Sequence, residues 1–344
     1  MLDAIRLATG ASDLDVEDTA GTTGGATQAA GRAVAGHSGI ILGPLTAAET
    51  QAAAAVAAPA GVPILAFTSD RNVARPGVWV LGLTAAQQVE RLLEAARASG
   101  LSRPAGFLPE NTLGDALGEA LSGGAPGAPI RRHDQSFASI NDGLKVLSDF
   151  SSRHANEAKI KADHESADPA VRAEGAALAA SATPVPPVPF DALLLGDTGT
   201  QLQEVIDLLN AYDIQSSHVR LMGPTLWGAF ARKLGQIAGA WYAAPDPAAR
   251  SGFVAAYEAR FHSPPLRIDD FAYDAGALAA ALAVHGGFTS DALTRPDGFA
   301  GTDGVFSLAP DGHVQRGLAV FQIDTGGGAH IVSPAPTHLG HGGV

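Results

Sequence analysis

Short apolar runs alternate with stretches of helical period along nearly the whole chain, and this rhythm predicts how it is built. Residues 1–9 read as a helix with Leu2, Ile5 and Leu7 on one face, and 14–19 as a strand of alternating character. A turn at 21–26, a helix at 27–35 and a strand at 39–42 follow. The alanine-rich helix 47–59 suits close packing on a sheet. Strands at 62–67 and 78–81 complete the first series, the former ending in the short polar side chains Thr68, Ser69 and Asp70. Two stretches share one grammar. Ser38 to Leu42 runs through Gly43-Pro44 into a helix, and Asp191 to Leu195 runs through Gly196-Asp197-Thr198-Gly199-Thr200 into another. In an open parallel sheet, ligands lie at such strand ends, where the next helix presents unpaired N–H groups.

The pattern restarts at Thr84, which caps a helix at 85–99 closed by Gly100. Strand 104–108, helix 114–121, an exposed strand at 130–137 and helix 140–150 come next. Residues 151–178 are charged and alanine-filled, a helical insert that returns through a proline-rich linker to 189. Two readings of the insert stand: a solvated helical extension, or a surface for a partner. Helix 201–211, strands 218–223 and 238–244, and helices 248–261 and 269–283 follow. Strands 304–308 and 317–323, joined through the Pro310-Asp-Gly312 turn, predict a late hairpin. The glycine-rich tail is expected to be disordered. The fold class is therefore α/β, with doubly wound parallel sheets.

Length divides this pattern in two, because 344 residues exceed one ordinary core and suit two lobes of roughly 150 residues each. A net charge of −13 with only 22 Lys plus Arg leaves no cationic face for phosphates, so nucleic acid is not an expected partner. The absence of cysteine excludes disulfides and thiolate metal sites. No apolar run predicts a membrane span.

Candidate chemistry is sparse. There is no Gly-x-Ser-x-Gly elbow, Walker loop, His-Glu-x-x-His or Rossmann fingerprint, which argues against an enzyme. Gly21-Thr-Thr-Gly-Gly-Ala26 lacks a lysine for phosphate. His330, His338 and His341 recur in the tail as a weak metal signal. His133, His154 and His164 read as surface residues. Trp79 and Trp241 read as core.

The Gly43-Pro44-Leu45-Thr46 turn, Phe271-Ala-Tyr-Asp-Ala275, and Gly301-Thr-Asp-Gly-Val-Phe306 with Pro310-Asp-Gly312, in this order, resemble type 1 periplasmic solute-binding proteins, the leucine/isoleucine/valine-binding family. The likeness covers nearly the whole chain. The insert and Arg220-Leu-Met-Gly-Pro-Thr-Leu-Trp227 are most similar to the branch of penicillin-binding protein activators of alphaproteobacteria. The resemblance implies a Venus-flytrap of two α/β lobes with a hinge and an interlobe cleft. Lobe one would hold 1–83 and 246–316, and lobe two 84–245 and 317–328, with 151–189 as insert and linker and 329–344 as disordered tail. It also implies a periplasmic location, a small-molecule ligand such as an amino acid, an ABC permease or a cell-wall synthase as partner, and no cofactor. Family members begin with a strand that this sequence lacks, along with an export signal and a lipoprotein cysteine, so a truncated or misassigned start is expected.

Carried over to this chain, the resemblance places the ligand carboxylate at Thr46 and at Thr68, Ser69 and Asp70, although Ala47 stands where a serine is expected and Asp70 would repel an anion. The acidic partner of the ligand ammonium aligns with the uncharged Thr225, leaving Asp197 to substitute. Thr198, Trp227 and Tyr273 complete the expected site. Thr68, Thr198, Thr200 and Thr225 have a helix-capping reading, Trp227 and Tyr273 a core reading beside the cleft one, and Asp274 a place facing the cleft or at the hinge. Two functions follow: a solute-binding protein of ABC-transporter type, or an activator-like interaction protein with a vestigial cleft.

Overall fold

The computed structural model describes residues 1–10, 14–181, 183–285 and 287–339. The chain forms two compact units. Unit 1 takes Met1–Gln88, Ala244–Val320 and the chain from Val332, and unit 2 takes Val89–Ala243 and Phe321–Ile331.

In unit 1, strands Ile41–Leu42, Ile64–Ala66 and Val78–Val80 pair in parallel, with Ile64–Ala66 central. Helix Thr23–Ala35 packs on helix Ala47–Ala57 through Ala30, Ala53, Ala54 and Ala57, because alanine lets backbones approach closely. Leu2–Thr9 lies along Arg267–Val284, where Gly276 leaves room for Ala8. Thr84 and Gln87 form a reciprocal cap, each side chain accepting from the other's backbone N–H.

Three expectations fail in this part of the chain. Residues 14–19 form no strand: the alternation finds no neighbouring strand, Val16 is exposed, and Glu17 and Thr19 are drawn off to Arg32 and Glu49. The late hairpin is built differently. Gly304–Leu308 pairs antiparallel with Phe299–Gly301 and Val314–Arg316, whereas Ala319–Ile323 joins the sheet of unit 2. The tail is not disordered from 329 on, because Ala329–Ser333 is a strand at the rim of that same sheet. Backbone pairing there outweighs the loose composition around it.

Unit 2 is built on a seven-stranded sheet, in the order Ala329–Ser333, Ala319–Ile323, Trp241–Ala244, Arg220–Gly223, Ala192–Leu195, Pro104–Pro109, Ile130–His133. From Trp241–Ala244 to Ile130–His133 the pairs are parallel, so their carboxyl ends share one rim. Ala192–Leu195 is buried throughout, as expected for a central parallel strand. The edge strand stops at His133 because Ser136 caps helix Phe137–Leu147. The insert is a pair of helices, Ala155–His164 and Pro169–Ala180, that pack on each other where Gly175 meets Asp163.

Unit 1 also buries acidic groups. Arg250 Nε donates to both oxygens of Asp270 at 2.7 Å, and Arg267 lies 3.5 Å from Asp270 and 3.7 Å from Asp303. Burial, and then the charge of Asp303, pushes the Asp270 carboxyl up to about 6. Burial raises Asp303 as well. A carboxyl raised in the folded state contributes stability that is full below its unfolded value, about 3.9, and is lost as pH rises through the folded value. Between pH 5 and 7.5 the wild type is therefore expected to lose more stability than Asp303→Asn, by on the order of 1–2 kcal/mol. Urea unfolding at the two pH values measures the difference, and equal losses would remove Asp303 as the driving charge.

Candidate functional site

Two adjacent turns of unit 1 carry the expected carboxylate contacts. Phe67 N donates to Pro44 O at 2.8 Å and holds the turn after Ile64–Ala66 beside the one after Ile41–Leu42. Thr46 is exposed, yet its hydroxyl accepts from Glu49 N at 3.2 Å and lies 2.7 Å from Glu49 Oε2, which it caps. Glu49 is only 4% exposed. Burial works against its charge, but hydrogen bonds from Thr19 and Thr46 outweigh that and hold the carboxyl below its ordinary range. An ionised carboxylate thus already occupies the Thr46 hydroxyl. Thr68 is buried and accepts from Asp70 N at 3.1 Å, while Asp70 accepts from Asn72 N and caps the short turn that follows. Ser69 and Asp70 are exposed.

At the carboxyl rim of unit 2, Asp197 follows Ala192–Leu195 and Trp227 follows Arg220–Gly223. Asp197 is 1% exposed, and its Oδ2 lies 3.1 Å from His133 Nε2. The His133 ring is stacked on Phe107 with centroids 4.5 Å apart. Trp227 Nε1 donates to Asp197 O at 3.0 Å, and the indole lies so close to Gly223 that a Cβ there would come within 2.3 Å of it. Thr225 donates to Ala243 O. Thr198 opens helix Gly199–Leu209 without a side-chain capping bond, and Thr200 bonds Gln201 at 3.1 Å.

Several expectations change here. Trp227 is fully buried in unit 2, which fits its core reading rather than a stacking surface. Asp197 is not a free carboxylate waiting for an ammonium, because His133 holds it. His133 is not a surface residue: pattern reading placed it on an exposed strand, and only the contact with Asp197 reveals its burial. The available signal was its place at the carboxyl end of a parallel strand. Tyr273 is half-buried against Phe253, with centroids 4.6 Å apart, as its core reading has it. Asp274 is a core residue that accepts from Thr302 N at 2.7 Å and pairs with Arg316. His154 is ion-paired, as described below. Trp79 and Trp241 are buried.

The structure brings together Thr46 with Thr68–Asp70 in unit 1, and Asp197 with Trp227 in unit 2. A groove of about 450 Å³ lies away from both sets, at the amino ends of strands 104–109, 130–133 and 192–195, between Arg97, Arg103, Pro129 and Pro189. Among the described residues no group of His, Asp and Glu is placed to hold a metal, and no helix is long and apolar enough to cross a membrane. His330 bonds Asp324 at 2.6 Å, and His341 lies outside the described residues.

No protein-family model and no curated protein matches the sequence. Solved structures do match. A protein described as a branched-chain amino acid ABC transporter from Rhodospirillum rubrum is similar with a TM-score of 0.67 at 15% identity, over 96% of this chain and 94% of that one. The C-domain of LpoA from Haemophilus influenzae, a regulator of PBP1A, gives 0.63 at 17% identity, over 96% and 93%. The substrate-binding protein LivJ from Streptococcus pneumoniae, in complex with isoleucine, gives 0.54 at 14% identity, over 97% and 94%. The chain has the fold of the type 1 periplasmic binding proteins, a fold shared by substrate-binding proteins of amino-acid transporters and by a regulator of PBP1A.

Proposed function

We propose that this chain is a non-enzymatic, extracytoplasmic protein that acts through protein contacts, as a regulator of a penicillin-binding protein. The observation that carries this reading is the internal commitment of the polar groups expected to hold a ligand. Asp197 is spent on His133 and Thr46 on Glu49. A ligand ammonium at Asp197 would have to displace a buried partner, and a ligand carboxylate at Thr46 would meet an ionised one. The likeness to LpoA supplies the class of partner.

A second reading, a solute receptor for an ABC permease that takes an amino acid or a related polar compound, draws on Ser69 and Asp70. Both stand exposed at a strand end, and Leu45 and Leu226 are exposed in turns at other strand ends. One pair of experiments separates the two. The purified chain is expected to give no heat on titration with any amino acid and to capture a penicillin-binding protein in co-purification. Replacing residues 155–180 by a short glycine-serine linker should abolish that capture, and full capture would move the contact surface off the insert. An amino acid that binds the folded state and, at 100 times its dissociation constant, stabilises it by about 2.7 kcal/mol would establish the receptor reading instead.

A further inference from the structure

Arg153 and His154 stand at the root of the helical insert, between the short helix Phe150–Arg153 and helix Ala155–His164. Arg153 gathers three segments: its guanidinium donates to Ser148 O at 3.3 Å on the way in, to Pro186 O at 2.7 Å on the way out, and to Asp213 Oδ2 at 2.9 Å on the body of unit 2. His154 stacks on Phe150 with centroids 4.1 Å apart, and Phe150 meets Tyr212 edge-on. Its two ring nitrogens both face carboxylates, Nδ1 at 2.5 Å from Glu157 Oε2 and Nε2 at 2.7 Å from Asp213 Oδ2.

Ionised carboxylates only accept hydrogen bonds, and a neutral imidazole carries one N–H. Both contacts therefore exist together only when the ring is an imidazolium. Beyond this root the insert is mostly exposed, and its two helices chiefly pack on each other. We propose that His154 is a proton-operated latch: as the cation it ties the root of the insert to Asp213 alongside Arg153, and on losing its proton it leaves Arg153 alone to hold the root, so the insert loosens from the body.

The charged groups that face the ring are Asp213 from the turn after Asn210–Tyr212, Glu157 from the insert, and Arg153, which shares Asp213. The hydrogen bond to Asp213, and then the one to Glu157, raises His154 above its ordinary value. A histidine raised in the folded state contributes stability that is full below its unfolded value, about 6.5, and is lost as pH rises through the folded value. The latch is closed in mild acid and opens as pH rises through the raised His154 value. It goes beyond the regulator reading and holds for a solute receptor equally.

Hydrogen–deuterium exchange of amides in 155–180, corrected for intrinsic rates, tests the latch on the whole protein. In the wild type it is expected to rise several-fold between pH 6 and pH 8.5. In His154→Gln it should already be fast at pH 6 and show no such step, while exchange in strands 104–109 and 192–195 stays slow in both proteins. An NMR titration of the wild-type ring provides the check that needs no variant, with an imidazolium expected at pH 6.5. A neutral ring at that pH, or equal exchange of the insert in both proteins at every pH, overturns the proposal.

Discussion

Arg316→Met is expected to destabilise unit 1 by about 3–5 kcal/mol, the penalty of removing one partner from a buried ion pair. The Arg316 side chain is fully buried. It lies 3.4 Å from Asp274 Oδ2, donates to Leu81 O at 3.3 Å, and faces the rings of Phe271 and Phe306. Its charge also lowers the burial-raised carboxyls of Asp274 and Asp303. Methionine fills the volume between the rings but leaves both acids without this counter-charge, so they will take up protons. The deficit should therefore shrink as pH falls. Thermal unfolding is a direct readout, since each kcal/mol lowers the midpoint by roughly 2–4 °C in a unit of this size. Replacing Arg316 and Asp274 together by apolar residues should recover much of the loss. If the single variant unfolds at the wild-type temperature, this pair does not support the core.

Asp197→Ala is expected to lower the stability of unit 2 in the absence of any ligand, by about 3 kcal/mol. A residue kept free for a ligand would behave otherwise: its removal would abolish binding and leave the apo protein as stable as before. The difference comes from burial. Asp197 and His133 have fully buried side chains, and the imidazole Nδ1 and the carboxylate Oδ1 have no hydrogen bond of their own. Losing the carboxylate strands the imidazole against Phe107 with no polar partner. His133→Ala should cost a similar amount, and the double variant less than the sum of the two. An unshifted melting temperature for Asp197→Ala would falsify the structural role and return the carboxylate to the candidate site.

The parallel strands and their helices were legible because their signals are local. Leu193, Leu194 and Leu195 form an unbroken apolar run, and Thr84 caps a helix of clear period. What escaped was decided over long separations. Ile130-Arg131-Arg132-His133 has the charges of an exposed strand, and nothing near it announces that the last residue meets an aspartate beyond another strand. Residues 304–323 carry a sound turn signal at Pro310-Asp-Gly312, yet it joins Gly304–Leu308 to Val314–Arg316, and the next strand leaves for another sheet. Residues 14–19 alternate well, but alternation becomes a strand only when another edge accepts it. At the candidate site the residue types were readable and their internal partners were not. That Thr46 bonds Glu49 follows a capping pattern, whereas the bond from Thr19 to Glu49 depends on how two distant turns meet.

Ala319–Ile323 and Ala329–Ser333 lie beyond Trp241–Ala244 in the seven-stranded sheet, although they follow it only after a long intervening stretch of chain. A ribosome that has released the chain only as far as residue 318 has therefore delivered a unit 2 whose Trp241–Ala244 strand still presents a bare edge. That edge is wholly buried in the finished protein, with Trp241 and Tyr242 on it. The nascent chain must keep it from pairing with a neighbour's strand until residues 319–333 arrive, so a stop codon before residue 319 would yield an aggregating product rather than a shorter working one.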